Sequence, residues 1–320
     1  MIWVTWAQHR REALAATAFL ALAGALLLIT GLSMAADYQQ SGVAKCLGLG
    51  SPAVGLFVGG SPCDAAQAFP LHWHRVTTAA FLALITVPAL LGVFIAAPLL
   101  SREFEFGTYL LAWSQSITRL RWAVIKIGLV ALTVIVAAAA LATLVVWWHG
   151  PLDLADFNGQ WAVFDIEGIV PVAYAAFALA LGTLAGLVIR RTIPAMALTL
   201  FTFVAVRLVV AQIRPHFIQP LTGPALEIGQ GTWITSSSTY YADAHGHQLS
   251  LDQVNRVMAG YNGASASGVM DYLKQHGIRL LADYQPAARF WTFQIIEAAV
   301  FFTLAVGLIA VSLWWLQRRG

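Results

Sequence analysis

The sequence predicts an all-α polytopic membrane protein, with six transmembrane helices, interfacial helices at the N-terminus and between spans two and three, and a small mixed subdomain between spans five and six. Three observations carry this expectation. The 320-residue chain is 59% hydrophobic and 10% charged, against roughly 45–50% and 25% for soluble globular chains, and its mean hydropathy is +0.73. Its apolar runs reach about 20 residues, enough to cross a hydrocarbon core of about 30 Å at roughly 1.5 Å per residue. Two long polar segments, 35–75 and 214–289, interrupt those runs. A soluble enzyme, a disordered regulator and a disulfide-rich secreted module are excluded. Nucleic-acid binding is excluded too, because the net charge of +3 rests on only 18 Lys and Arg with no extended basic run.

Residues 1–12 place Trp3 and Trp6 ahead of Arg10 and Arg11, which suits an amphipathic helix lying on the inner leaflet. Span one is expected at Ala13–Met34. A cleaved signal ending near Met34-Ala35-Ala36 is the rival reading, but its apolar run exceeds the usual ~7–15 residues. A loop at 35–75 leads to span two, Val76–Leu100, and then to an inner segment at 101–121. Span three is Trp122–Trp148, followed by a loop at 149–168. Spans four and five, Ile169–Ile189 and Ile193–Ile213, are separated only by Arg190, Arg191 and Thr192. The segment 214–289 precedes span six, Phe290–Leu316. Each span must be helical, since a lipid-exposed backbone satisfies its hydrogen bonds no other way.

Orientation follows from the arginines. Arg10, Arg11, Arg102, Arg119, Arg121, Arg190, Arg191, Arg318 and Arg319 crowd the short segments on the side of the termini, whereas the much longer opposite segments carry few cations. Both termini are therefore expected in the cytoplasm of a plasma-membrane protein. Trp73, Trp147, Trp148 and Trp291 then mark the outer interface, and Trp113, Trp122, Trp314 and Trp315 the inner one.

The outer segments show structural signals and no catalytic ones. Cys46 and Cys63 share the first outer loop; a disulfide there would close a loop of about 18 residues and contribute roughly 3 kcal/mol, and two unpaired thiols are the alternative. Thr232–Tyr241 reads as a strand leading into a turn at Asp243–Gly246. Ser250 and Gln253 form a capping-box pattern opening a helix to about Tyr261, and Ser267 is the expected cap of another ending at Gly277. His245, His247 and His276 lack a metal-ligand pattern, and His72-Trp73-His74 reads as an interfacial anchor, so no metal site is expected. No zinc-protease, nucleophile-elbow or P-loop motif occurs. Any ATP-derived energy must come from a partner.

The most informative stretch is the inner segment Ser101–Arg121. Arg102, Glu103 and Glu105 open it, an aromatic and aliphatic series fills its middle, and Ser114–Ser116 breaks it before Arg119-Leu-Arg121-Trp122 starts the next span. Physically this is a short interfacial helix. The pattern Arg102-Glu103-x-Glu105-x-Gly107-Thr108, a hydrophobic run and a Ser-x-x-Arg119 step resembles the cytoplasmic coupling segment of ABC-2-type transporter permeases. The opening Trp3-x-x-Trp6 and the late Tyr284-x-Pro-x-x-Arg289-Phe-Trp-x-Phe-Gln294-x-x-Glu297 are similar to an actinobacterial subgroup, with a departure at Tyr109-Leu110.

The resemblance implies a permease subunit with an N-terminal elbow helix and no nucleotide-binding domain. Two such chains would form a homodimer, and each coupling helix, with Arg102, Glu103, Glu105, Gly107, Thr108, Trp113 and Arg119, would seat in one of two copies of a separate ABC-type ATPase. ATP and Mg would bind that ATPase, and no cofactor would bind this chain. By the same analogy the system is an exporter. Spans two and five would line the route, where Phe81, Thr86, Phe94, Thr199, Phe201, Thr202 and Phe203 suit a lipophilic or amphipathic cargo or simply face lipid and other helices. A reading from another class is a membrane sensor or mechanotransmitter working through residues 214–289.

Two intramembrane features remain. Gly182-Thr-Leu-Ala-Gly186 is a small-xxx-small surface expected to pack within the chain. Arg207, about 14 residues or roughly 21 Å along span five, leaves about 9 Å to the outer edge, and Glu297 lies roughly 10 Å deep from that edge in span six. Equal depth predicts an Arg207–Glu297 ion pair, with Gln294 as a third member; the alternative is that Arg207 snorkels while Glu297 is protonated or faces water.

Overall fold

The computed structural model describes residues 2–48, 64–107, 118–225, 228–263 and 266–319. Among these, six helices are long and apolar enough to cross a membrane: Leu20–Gln40, Ala68–Phe106, Leu120–Ala155, Val170–Ile189, Thr192–His216 and Ala287–Arg318. They coincide with the six apolar runs, and the protein is a multi-pass membrane protein.

Helix α1 (Ile2–Gln40) is continuous. Neither Gly nor Pro occurs before Gly24, so nothing breaks the helix between the expected interfacial segment 1–12 and the first span. After a left-handed turn at Gly42 and the short α2 (Val43–Gly48), α3 (Asp64–Leu91) begins the second span. It passes through a π turn at Gly92–Ala96 into α4 (Ala97–Phe106), which ends at the left-handed Gly107 with φ 71°. Proline is the cause of the irregularity. Pro98 has no N–H to give the Phe94 carbonyl, and the Ala97 N–H instead bonds Gly92 O, five residues back. The segment expected as a separate inner helix from residue 101 is thus the tail of span two.

Helix α5 (Arg119–Ala155) is capped by Thr118, whose hydroxyl accepts the Arg121 N–H at 3.4 Å. It continues beyond Trp148, leaving a shorter connection than the expected 149–168 loop. That connection is packed rather than solvated. Trp161 stacks on Trp233 and meets Phe290 and Phe293 edge-on, each with ring centres 5.3 Å apart; such pairs contribute about 0.5–1.5 kcal/mol each beyond simple burial.

Helix α6 (Val170–Ile189) is the centre of the bundle, with most of its residues buried. It packs against α10 (Phe290–Arg319), α5, α4 and α7 (Thr192–Ile213), burying Tyr174, Phe177, Phe203, Phe293 and Phe301 in one cluster. Its approach to the second span is close because Gly182 faces the π turn and Gly186 faces Ala97 and Ser101 of α4: a methyl group at Gly182 would sit 2.6 Å from Gly92 O and 2.7 Å from Ala96 Cβ. The small-xxx-small surface therefore packs within the chain. Arg190, at φ 58°, ends α6 and turns the chain directly into α7.

Between α7 and α10, strands β1 (Leu221–Pro224), β2 (Trp233–Ala242) and β3 (Arg279–Gln285) form an antiparallel sheet in the order β1-β3-β2. The predicted capping box opens α8 (Leu251–Met258), with both Ser250 and Gln253 bonds present. Helix α9 (Ala266–Gln275) starts one residue ahead of the expected cap at Ser267. Val254, Leu273 and Ile278 make a small core of their own.

Candidate functional site

At the end of the bundle away from the sheet, α4 is tied to two neighbouring spans by its own carboxylates. Glu103 forms an ion pair with Lys126 of α5, which is 4% exposed. Glu105 accepts the Thr192 backbone N–H at 2.9 Å and its hydroxyl at 2.6 Å, capping the start of α7. Ser101 adds a 3.3 Å bond to Thr192 Oγ1, and the Arg190 guanidinium lies 5.2 Å over the Phe104 ring. Lys126 sits on α5 at the position where a long side chain can reach back beneath Trp122, 5.7 Å from its ring. Arg102 and Phe106 face outward, Phe106 at 72% exposure. Of the residues predicted for this site, Thr108 and Trp113 lie outside the described residues, as does the Cys46–Cys63 bridge at Cys63. Arg119 opens α5.

Near the other end, an ionic cluster crosses the bundle. The structure gives Arg207 and Glu297 different partners from each other. Arg214 donates through Nε to Glu297 Oε2 at 2.7 Å and through Nη2 to Oε1 at 2.9 Å, and it also bonds Asp165. Arg207 lies 3.3 Å from Asp165 Oδ1, donates to the Ile85 carbonyl at 3.0 Å and covers the Tyr174 ring at 4.3 Å. The Tyr174 hydroxyl stands between the carboxylates, 2.9 Å from Asp165 Oδ1 and in contact with Glu297. Two arginines and two carboxylates so balance one another in a site where Glu297 is fully buried. The exchange has a physical reason. Arg214, at the end of α7, points back inward because Asp165 arrives from the folded connection before α6, and one carboxylate then bridges both guanidinium groups.

Gln294 belongs to neither ion pair. Its Oε1 accepts the N–H groups of Ile169 and Val170 at 3.1 and 3.0 Å, and its Nε2 donates to the carbonyls of Phe164 and Glu167 at 2.9 and 3.1 Å. Every lone pair and N–H of the amide is used, so Gln294 caps α6 from a neighbouring helix. Gly168, at φ 72°, leaves room for it, since a Cβ there would stand 2.8 Å from Oε1. Burial works against an ionised Asp165, yet Arg214 and Arg207 hold its carboxyl below the ordinary range. Burial, with Asp153 beside it, pushes Glu167 up to about 8.

Among the candidate lining residues, Thr199 and Phe203 are buried between helices, and Thr199 bonds Ala195 O within α7. Phe94 and Phe201 are 57% and 74% exposed. Asp165 and Arg214 were missed in the sequence; the one signal pointing to them is the aromatic content of the connection, Trp161 and Phe164, which marks it as folded.

Residues 17–214 match a protein family described as ABC-2 membrane transporter related. No curated protein and no solved structure matches the chain.

Proposed function

The chain belongs to the ABC-2 membrane transporter related family, and on that premise we propose that it is the permease subunit of an ABC exporter, moving a lipophilic or amphipathic substrate outward. Its membership and its six apolar helices support a membrane transporter component; the family is the membrane part of such transporters rather than the ATPase, which implies an ABC ATPase partner. In the proposal two copies pair as a homodimer, both termini are cytoplasmic, and two separate ATPase subunits bind the ATP and Mg. The segment Glu103–Trp113 docks the ATPase, with Arg102 and Arg119 at its borders.

The observation that carries this reading is the double attachment of α4. Glu103 holds α5 and Glu105 holds α7, while α4 itself is continuous with α3. A push on the segment beyond Gly107 therefore reaches spans two, three and five together, which is what coupling ATP closure to a change between two bundle arrangements requires. A sensor would need no such attachment at this end.

Co-expression with an ABC-class ATPase encoded beside it tests the reading. The two subunits should co-purify, and proteoliposomes should move an amphipathic fluorescent probe only with ATP. Failure of the subunits to associate, or probe movement indifferent to ATP, would overturn it.

A further inference from the structure

At the sheet-bearing end of the bundle, His149 and Asp153 lie one turn apart on α5, and Glu167 enters from the connection leading into α6. One potential ligand atom from each lies within 4.8 Å of the other two. His149 Nδ1 is 2.6 Å from Asp153 Oδ1. His149 and Glu167 are buried, at 3% and 1% exposure, and the Asp153 side chain is 16% exposed. Both carboxylate oxygens of Glu167 are enclosed without a hydrogen-bond partner among the described residues.

That last fact is the unusual one. Buried polar groups are almost always bonded, and buried charges are paired or coordinate metals. Glu167 is not simply misplaced by a loose loop. Its N–H bonds Val163 O at 3.1 Å and its carbonyl receives Gln294 Nε2 at 3.1 Å, so its backbone is anchored on both sides. The side chain nevertheless reaches the His149–Asp153 pair. Among the described residues, no Lys, Arg or His bonds its carboxylate oxygens.

We propose that His149, Asp153 and Glu167 form a binding site for a first-row divalent cation, zinc foremost, which pins the connection before α6 to the end of α5. One imidazole and two carboxylates are a donor set for zinc or manganese, whereas calcium and magnesium prefer oxygen alone. Ligand atoms around zinc, at about 2.0–2.2 Å from the metal, stand roughly 3–3.5 Å apart, so the three groups close on an ion with side-chain shifts of about 1 Å. The spacing of His149 and Asp153 places both on one helix face. A dication neutralises the two carboxylates, and the exposed edge of Asp153 provides the way in and a place for a water ligand.

The test uses the full chain in lipid nanodiscs, with any affinity tag removed, stripped with a chelator and then equilibrated with zinc chloride. Metal content and thermal unfolding are read for the wild type, Glu167→Gln and His149→Gln; the exposed histidines are common to all three and cancel. The wild type should retain about one more zinc per chain than either variant, and zinc should raise its unfolding temperature but not theirs. Glu167→Gln should fold at least as well as the stripped wild type, since it removes a buried carboxylate. Equal zinc retention by wild type and Glu167→Gln, or none by either, would overturn the site. X-ray absorption of the zinc-loaded wild type needs no variant. One imidazole with oxygen ligands supports the site, and several imidazoles would place the metal on surface histidines and refute it.

Discussion

Glu105, in the last turn of α4, accepts both the backbone N–H and the hydroxyl of Thr192 and so closes the first turn of α7. A side chain from span two thereby does the capping that Arg191, the residue at the N-cap, does not provide. Glu105→Lys sets a positive charge against the positive end of α7 and removes both bonds. In proteoliposomes with the ATPase, transport should fall several-fold more than ATP hydrolysis. Parallel loss of both, or normal transport, would separate this contact from coupling.

The ionic cluster predicts which double replacement compensates. Arg214→Met leaves Glu297 buried without its guanidinium and should cost about 3–5 kcal/mol in stability. Adding Glu297→Gln should recover part of that loss. Arg207→Met with Glu297→Gln should show no such recovery, because Arg207 answers to Asp165. Thermal unfolding of the four proteins in detergent decides between the two pairings.

Gly182→Val drives a side chain into Gly92 O and Ala96 Cβ. Overpacking of this kind costs about 1–3 kcal/mol, and the folded yield should drop accordingly. A cysteine at position 182 should give no cross-link between two chains. A cross-link there would move this surface to the dimer seam.

In the sheet subdomain, Asp243 Oδ1 accepts the N–H groups of His245 and His247, both at 2.9 Å. The His247 backbone bond, followed by the His247 side chain and the His245 backbone, holds the Asp243 carboxyl below its ordinary 3.8. A folded pKa that is lowered contributes stability above the unfolded value and loses it as pH falls through the folded one. The protection of the His245 and His247 amides, taken relative to their intrinsic exchange at each pH, should therefore hold at pH 5 and fall only below about pH 3.8, whereas Asp243→Ala should lower it at both. An Asp243 carbon resonance titrating above 3.8 would contradict the turn.

The spans were legible because lipid imposes one requirement on every residue of a run, and hydropathy reads it directly. The capping box at Ser250 was legible for a similar reason, since both partners lie within one turn. The partner of Glu297 was not. Depth arithmetic ranks residues along a straight helix, and it placed Arg214 just outside the membrane, whereas the side chain folds back toward a carboxylate delivered by a connection. Asp165 could not be found from periodicity, because the connection has none; it is ordered by Trp161 meeting Trp233 and Phe293 from distant parts of the chain. The same holds for β3, whose two neighbours are β1 and β2, and for Glu167, which reaches the pair on α5 only once Gln294 holds its backbone. In the inner segment, the resemblance implies a coupling role for Glu103 and Glu105, and nothing local in the sequence points to the Lys126 and Thr192 contacts they make within the chain.

The π turn at Gly92–Ala96 also acts as a rotational setting. An extra residue in one turn advances everything after it by about 100° around the helix axis. Without that advance, the face of α4 bearing Glu103 and Glu105 would look elsewhere than toward Lys126 and Thr192, with every residue type unchanged. Which partners the two carboxylates meet is thus decided a full turn or more upstream, by the length of the chain between Pro88 and Pro98. A one-residue deletion in this stretch would be a change of address for the whole segment that follows, while leaving the apolar span almost as long and as oily as before.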